Sequence, residues 1–439
     1  MNKVLVLGAG MVSKPLVDHL ARKGYDLTVA SHILAEATAL AQPYSNVRAV
    51  EADVTDASHL ARLIKDVDIV ASFVPFTFHD LVADICLANK RHLVTASYQS
   101  DHIRGLDADA RRQGLLFLSE MGFDPGIDHM SAMKVIDEVH AQNGTIEAFV
   151  SWGAGLPHPD CANNPFKYKF SWAPKGVLLA LKNKARFRIE EQEIEVPEGQ
   201  LVNTRWPTWT TDNEEYEGYP NRDSLVYEHV YGLTGIPTLL RGTLRYRGFL
   251  ELMNEAYQYG LFEDDGAIGH TDWRKYFESR GIPNFRKQLS QGLAWLFDEP
   301  DVVDGFEQCS AIDAFCAQLK NKLFYSGGER DMAMLVHKFV IKQANGEYRQ
   351  HLSLFKAFGE PYGDTAMARA VGLPAAIAID LLSQNKLTAR GSVIPVSHEF
   401  YEQVLPELAK LGLACTETTV NDVPRTVFLR ELNYAVNKG

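Results

Sequence analysis

The stretch GFDPGIDH, residues 122–129, carries two carboxylates and a histidine within six residues. Pro125 keeps Asp124 extended and outside any helix that follows. Asp128 and His129 fall in a first helical turn, where the helix dipole alone favours an acid. Asp128 thus has a structural reason to be there and Asp124 has none, which makes Asp124 the candidate acid/base group or amine ligand. TASYQS, residues 95–100, adds Ser97 and Tyr98. A phenol at a strand end can donate a proton or serve as an amphipathic packing residue, and spacing leaves both open. The third set is basic. In TLLRGTLRYRGF, residues 238–249, a strand period of two puts Arg241, Thr243, Arg245 and Arg247 on one face. That face is costly unless some arginines are exposed or meet anions. GYPNRDS adds Arg222 in a turn. Guanidinium groups receive planar carboxylates through paired donors, but a solvated edge strand uses arginine similarly, so spacing leaves the two readings level.

These residues need elements to hold them. From 1 to about 120 the apolar runs KVLVLG, DLTVAS, VRAVEADV, DIVASFV, HLVTAS and LLFLSE alternate with segments of helical apolar spacing. The pattern predicts an α/β domain over 1–121, a Rossmann-type doubly wound parallel sheet whose strand carboxyl ends line a ligand crevice. From 122 to 439 we expect an α+β catalytic domain with a mixed or antiparallel sheet and a helical insertion over about 248–322. A helix over about 364–384 is expected to pack back on the first domain.

KVLVLGAG runs a strand into Gly8 and Gly10, the start of a dinucleotide fingerprint, with Ser13 at the usual third glycine. The first glycine permits the turn; the second lets backbone N–H groups approach a pyrophosphate at a helix N-terminus. Strand two ends in Ser31-His32 with no carboxylate for a ribose 2′-OH. A serine donor and a protonated histidine suit a 2′-phosphate, so NADP(H) is favoured over NAD; His32 as a solvent-facing cap residue would leave either nucleotide acceptable. Asp53, followed by Val54, is placed to accept from an adenine amino group or to cap a turn, and Val74 to run along the cofactor or simply pack.

The chain has 439 residues and a net charge of -12, with no run of five or six basic residues, which argues against nucleic acid and for a small-molecule substrate. Its five cysteines show no CxxC and no zinc spacing, so no metal is expected and a reducing compartment fits. The chain opens on a strand rather than a basic leader, and VGLPAAIAIDLL is too short for a membrane span and contains Pro374 and Asp380. The reading is a soluble cytoplasmic protein without a membrane partner; exposed antiparallel sheets leave a homodimer open.

The segments GAGMVSKP, TASYQS, GFDPGIDHM, GLPHPDCANNPFKYKFSWAPKGVLLALKN, YPNRDS, RGTLRYRGF, GERDMAMLVHKF and AVGLPAAIA resemble, in order, those of the NADP-dependent, L-glutamate-forming saccharopine dehydrogenases, also called saccharopine reductases. The resemblance implies an oxidoreductase of lysine metabolism that reduces the imine of 2-aminoadipate 6-semialdehyde and L-glutamate to saccharopine, and runs the reverse. It implies that Ser97, Tyr98, Asp124, Arg222, Thr243, Leu244 and Arg245 touch saccharopine, with Asp124 facing its secondary amine. It places Gly10, Met11, Val12, Ser31, His32, Asp53, Val54, Val74, Ser97 and the run Asp124, Pro125, Gly126, Ile127 on the nucleotide. His32 stands where the family often has arginine, and Gly153 where it often has a cysteine, so proton transfer falls to Asp124, Tyr98 or water they hold. Lysine 6-dehydrogenases and carboxynorspermidine-type reductases of the same superfamily are the alternative enzymes, and a nucleotide-binding regulator without turnover is the alternative class.

Overall fold

The computed structural model describes residues 2–171, 174–209, 215–298 and 305–421. The chain divides into two compact units: residues 1–138, 355–357 and 364–415 form one, and 139–354, 358–363 and 416–439 the other.

The first unit is built on β1 (Lys3–Leu7), β2 (Asp26–Ser31), β3 (Val47–Glu51), β4 (Ile69–Ser72), β5 (His92–Thr95) and β6 (Leu116–Leu118). They form a seven-stranded sheet in the order Gly391–Val393, β6, β5, β4, β1, β2, β3, with every pair parallel. Because helices cover both faces, the strands read as continuous apolar runs, and Val4, Leu5, Val6, Ile69, Val70 and Val94 are fully buried. The sequence pattern accounts for six of the strands. The edge strand Gly391–Val393 is an addition that three residues could not signal.

The helix Ala366–Ser383 lies against the helix Ser13–Arg22 in this unit. Thr365 caps it by accepting from the Ala368 N–H at 3.0 Å. Gly372 permits the close approach, since a Cβ there would stand 2.6 Å from the Val12 carbonyl oxygen. Contrary to the length argument above, this helix is long and apolar enough to cross a membrane; 78% of its apolar window is instead buried inside the protein. Its one acid, Asp380, is held by Lys23 and by the Tyr25 hydroxyl at 2.8 Å, and these partners offset the cost of burying it.

The second unit contains β7 (Thr145–Pro157), β8 (Ala185–Ile189), β9 (Gln192–Val196), β10 (Trp206–Trp209), β11 (Glu215–Pro220), β12 (Arg222–Asp223), β13 (Thr238–Tyr246), β14 (Asp331–Lys342) and β15 (Tyr348–Phe358). Its sheet runs β10, β11, β13, β7, β14, β15 and then Cys415–Asn421, with β8, β9 and β12 attached at β13. β7 pairs parallel with β13 and antiparallel with β14, so the sheet is mixed. Trp152 on β7 fills the space over Gly218 and Gly242, where a Cβ would come within 2.9 and 2.4 Å of the indole. Among the described residues five helices lie between Phe249 and Lys322, and in that stretch Trp273 meets Tyr276, Phe277, Phe297 and Phe306 edge-on or tilted. Residues 299–304 of that stretch lie outside the described residues.

Candidate functional site

Parallel pairing brings the carboxyl ends of all the first unit's strands to one edge. Gly8–Val12 follow β1, Ser31-His32 end β2, Asp53 follows β3, Val74 follows β4, Ser97-Tyr98 follow β5 and Glu120–Asp124 follow β6. The same edge collects the exposed apolar side chains Met11, Ile33, Leu34 and Phe76. Exposed apolar surface gathered at a strand-end crevice is the setting a flat aromatic ligand needs.

The two fingerprint glycines have different causes. Gly8 adopts φ +99°, and a Cβ on it would meet the Phe73 carbonyl oxygen at 2.7 Å, so the fold itself demands glycine there. A Cβ on Gly10 would meet nothing within 4 Å. The protein supplies no reason for glycine at 10, and close approach of a bound phosphate does. Ser13 is fully buried with no partner for its hydroxyl, so it serves the packing of its helix. These residues fit a dinucleotide pyrophosphate.

At the ribose end the geometry differs in one respect from the pattern read in the sequence. Ser31 is buried, its Oγ accepts the Ile33 N–H at 3.2 Å, and Glu36 Oε2 lies 3.5 Å away. A carboxylate absent from the strand end therefore returns one helical turn later. His32 is exposed. Asp53 accepts from the Thr55 N–H and hydroxyl at 2.8 and 2.7 Å, and these bonds hold its carboxyl below the usual range. It is a turn cap with outward capacity to spare. Val54 and Val74 pack partly against the core of this unit.

The loops bearing Tyr98 and Asp124 are tied together. The Glu120 N–H donates to the Ser97 carbonyl at 2.9 Å, the Met121 N–H to the Thr95 carbonyl at 2.9 Å, and the Gln99 N–H to Glu120 Oε1 at 3.0 Å. Glu120 is itself fixed by buried His129, whose Nε2 lies 2.7 Å from Oε2. Gly122 packs on Ala96, where a Cβ would stand 2.9 Å from the alanine methyl. Asp124 precedes a cis proline and is exposed, whereas Asp128 is 1% exposed and accepts the Gly126 N–H at 2.5 Å. Gly126 admits no side chain, since a Cβ would be 2.1 Å from the Gly122 carbonyl oxygen, and Ile127 opens the following helix, buried.

In the second unit, Arg245 is 4% exposed, enclosed by the rings of Tyr168, Tyr219 and Phe249 at 5.1, 5.7 and 5.5 Å from its Cζ. Its Nη1 donates to the Leu244 carbonyl at 2.8 Å, its buried Nε donates to nothing, and among the described residues no carboxylate pairs with it. A buried cation with aromatic walls and no counter-ion is set up for an anion from outside. Arg241 is also buried, 4.0 Å over the Tyr227 ring. The strand ends at Tyr246, so Arg247 lies beyond it, exposed, and the four-residue face read from the period is shorter than expected. Arg222, read from the sequence as a turn residue, instead opens the two-residue strand β12 at φ +57°, paired with β8, and its neighbours bond to the arginine strand: the Asn221 N–H donates to the Arg241 carbonyl at 3.0 Å and the Arg241 N–H to Ser224 Oγ at 2.9 Å. Thr243 is half-buried between Tyr219 and Gly153 in register, and Leu244 is fully buried, facing away from Thr243.

Sequence reasoning missed Glu36, Glu120 and the buried His79, and gave His129 no role beyond its place in a first helical turn. Their partners lie five to about twenty residues away and never within the same strand or helix, so no spacing signal marks them.

Residues 4–118 match the family model described as the saccharopine dehydrogenase NADP binding domain, and residues 122–413 the one described as the saccharopine dehydrogenase C-terminal domain. Saccharopine dehydrogenase (NADP(+), L-glutamate-forming) of Saccharomyces cerevisiae is 35% identical over 95% of this chain and 99% of its own. The mitochondrial alpha-aminoadipic semialdehyde synthase of Bos taurus is 32% identical over 94% of this chain, a match to 47% of that longer protein. The solved apo structure of the histidine-tagged yeast saccharopine dehydrogenase (L-Glu forming) superposes with a TM-score of 0.89 at 34% identity, covering 96% of this chain and 100% of that one. The chain belongs to the saccharopine dehydrogenase family.

Proposed function

We propose that this chain interconverts saccharopine with 2-aminoadipate 6-semialdehyde and L-glutamate through their imine, using NADP(H), as an enzyme of lysine metabolism. Beyond family membership, the observation that carries this reading is Arg245, a buried guanidinium in an aromatic enclosure and, among the described residues, without a counter-ion. A substrate with three carboxylates is the kind of ligand such a group accepts.

NADPH, when bound, supplies the hydride that the imine carbon takes up. Gly8, Gly10, Met11 and Val12 receive its pyrophosphate, and Ser31, His32, Asp53, Val54 and Val74 the rest of the nucleotide. Asp124, held outside the helix by Pro125, takes or gives the proton at the substrate nitrogen, and Tyr98 serves the carbinolamine oxygen. Ser97 hydrogen-bonds the ligand beside them. In the second unit, Arg245 and Arg222 each receive a carboxylate, with Thr243 and Leu244 at the flank. Glycine at 153, beside Thr243, supplies no thiol, which leaves proton transfer to Asp124 and Tyr98.

The five cysteines are free, which suits a reducing compartment, and we assign the enzyme to the cytoplasm. Light scattering tests the homodimer that exposed sheet edges allow. The test of function is the absorbance of reduced nicotinamide, with saccharopine, lysine and carboxynorspermidine each offered NADP and NAD. Turnover of saccharopine with NADP is expected. Turnover of lysine or carboxynorspermidine in its place, or of none, overturns the reading.

A further inference from the structure

The scheme above leaves the buried imidazole of His79 without a task. His79, at 1% exposure, lies between two serine hydroxyls, its Nδ1 3.1 Å from Ser72 Oγ at the end of β4 and its Nε2 2.8 Å from Ser97 Oγ after β5. Burial pushes its imidazole down to about 4, against a weak opposing pull from Asp80. At ordinary pH the ring is therefore neutral, with one N–H and one lone pair.

A count of donors separates the two tautomers. Ser72 is fully buried, and among the described residues its hydroxyl has one partner, His79 Nδ1. With the ring proton on Nδ1, the Ser72 O–H would face a second donor and no acceptor, a buried donor left unmade. With the proton on Nε2, Ser72 donates to Nδ1, Nε2–H donates to Ser97 Oγ, and both buried donors are used. Ser97 is half-buried at the crevice edge, its Oγ has no second partner among the described residues, and its own proton is then left to point outward.

We infer that His79, backed by Ser72, is a positioning residue that commits the Ser97 hydroxyl to donating a hydrogen bond toward an acceptor oxygen of the bound ligand. The inference rests on Ser97 being a ligand contact, as in the proposed function. The acceptor is a carboxylate or carboxamide oxygen, because the hydroxyl proton has no protein acceptor among the described residues.

Nitrogen NMR of the full-length chain labelled with 15N-histidine, with the His79 signals assigned from a His79→Gln spectrum or from their shift in Ser72→Ala, should show a neutral Nε2–H ring between about pH 5.5 and 8. An Nδ1–H ring, or a charged one, overturns the inference. Ser72→Ala removes the group behind the ring and touches no ligand. It should weaken one constant by about threefold to tenfold. The affected constant is the saccharopine KM if the acceptor is a substrate carboxylate, and the NADPH Kd if it is the nicotinamide carboxamide. The loss should vanish in a Ser97→Ala background. An equal loss there, or wild-type constants in a folded Ser72→Ala chain, overturns it. The tautomer is read without turnover, so a chain that ignores saccharopine yet shows Nε2–H ends the functional reading and leaves the His79 assignment standing.

Discussion

In the proposed scheme the first unit's loop after β1 would meet an anion with backbone N–H groups and a glycine. In the second, Arg245 would meet one with a whole positive charge, enclosed by three aromatic rings and matched by no carboxylate among the described residues. A backbone cradle is complete without its ligand, because its donors are oriented by the turn itself. A buried guanidinium is satisfied only when its ligand arrives. The first arrangement suits a cofactor common to many enzymes, and the second discriminates between substrates by their charge.

That contrast can be broken most sharply at Arg245. Arg245→Ala should raise the saccharopine KM by about a hundredfold, on the order of 2–4 kcal/mol for a lost charge-assisted pair, while the NADPH Kd holds within about twofold. An equal loss of both, measured by steady-state kinetics and nucleotide fluorescence, would remove Arg245 from the substrate site. The glycines come next. Gly10→Ala should weaken NADPH binding by about tenfold or more without moving the urea midpoint, because its methyl meets no protein atom. Gly8→Ala should do the reverse, destabilising the fold by about 1–3 kcal/mol.

Acid should act on the first unit, where burial lowers His79 and His92 to about 4 and lowers His19 as well. Their folded values lie below the unfolded 6.5. The unfolded chain therefore binds protons first, and stability is full above about pH 6.5 and falls toward pH 4 by at most ~1.4 kcal/mol per histidine per pH unit. His92→Asn should flatten that slope in urea titrations at pH 7 and 5. The smallest effect is expected at Glu36. Glu36→Gln should raise the NADPH-to-NADH affinity ratio by about twofold to fivefold, a gain that shrinks in high salt.

What the sequence made legible follows from local physics. Short apolar runs marked β1, β4 and β5, with glycine closing the first, and Pro125 with the helix dipole separated exposed Asp124 from buried Asp128. Where a role depends on distant partners, local pattern is silent. Glu120 is an ordinary strand-end acid until His129 and the Gln99 N–H close on it. Arg241, Arg245 and Arg247 share a period, but the strand stops at Tyr246, and only packing decides which are enclosed. The edge strand Gly391–Val393 is too short to show a period, and its register comes from β6.

That edge strand, with the helix seated on Val12, also sets an order of events during synthesis. Residues 3–118 supply six strands and the phosphate loop, but the helix Ala366–Ser383 and the seventh strand are translated some 250 residues after β6. Until then one face of the helix Ser13–Arg22 and one edge of the sheet stay uncovered. A nascent chain must therefore carry its half-made nucleotide domain through translation of most of the second unit.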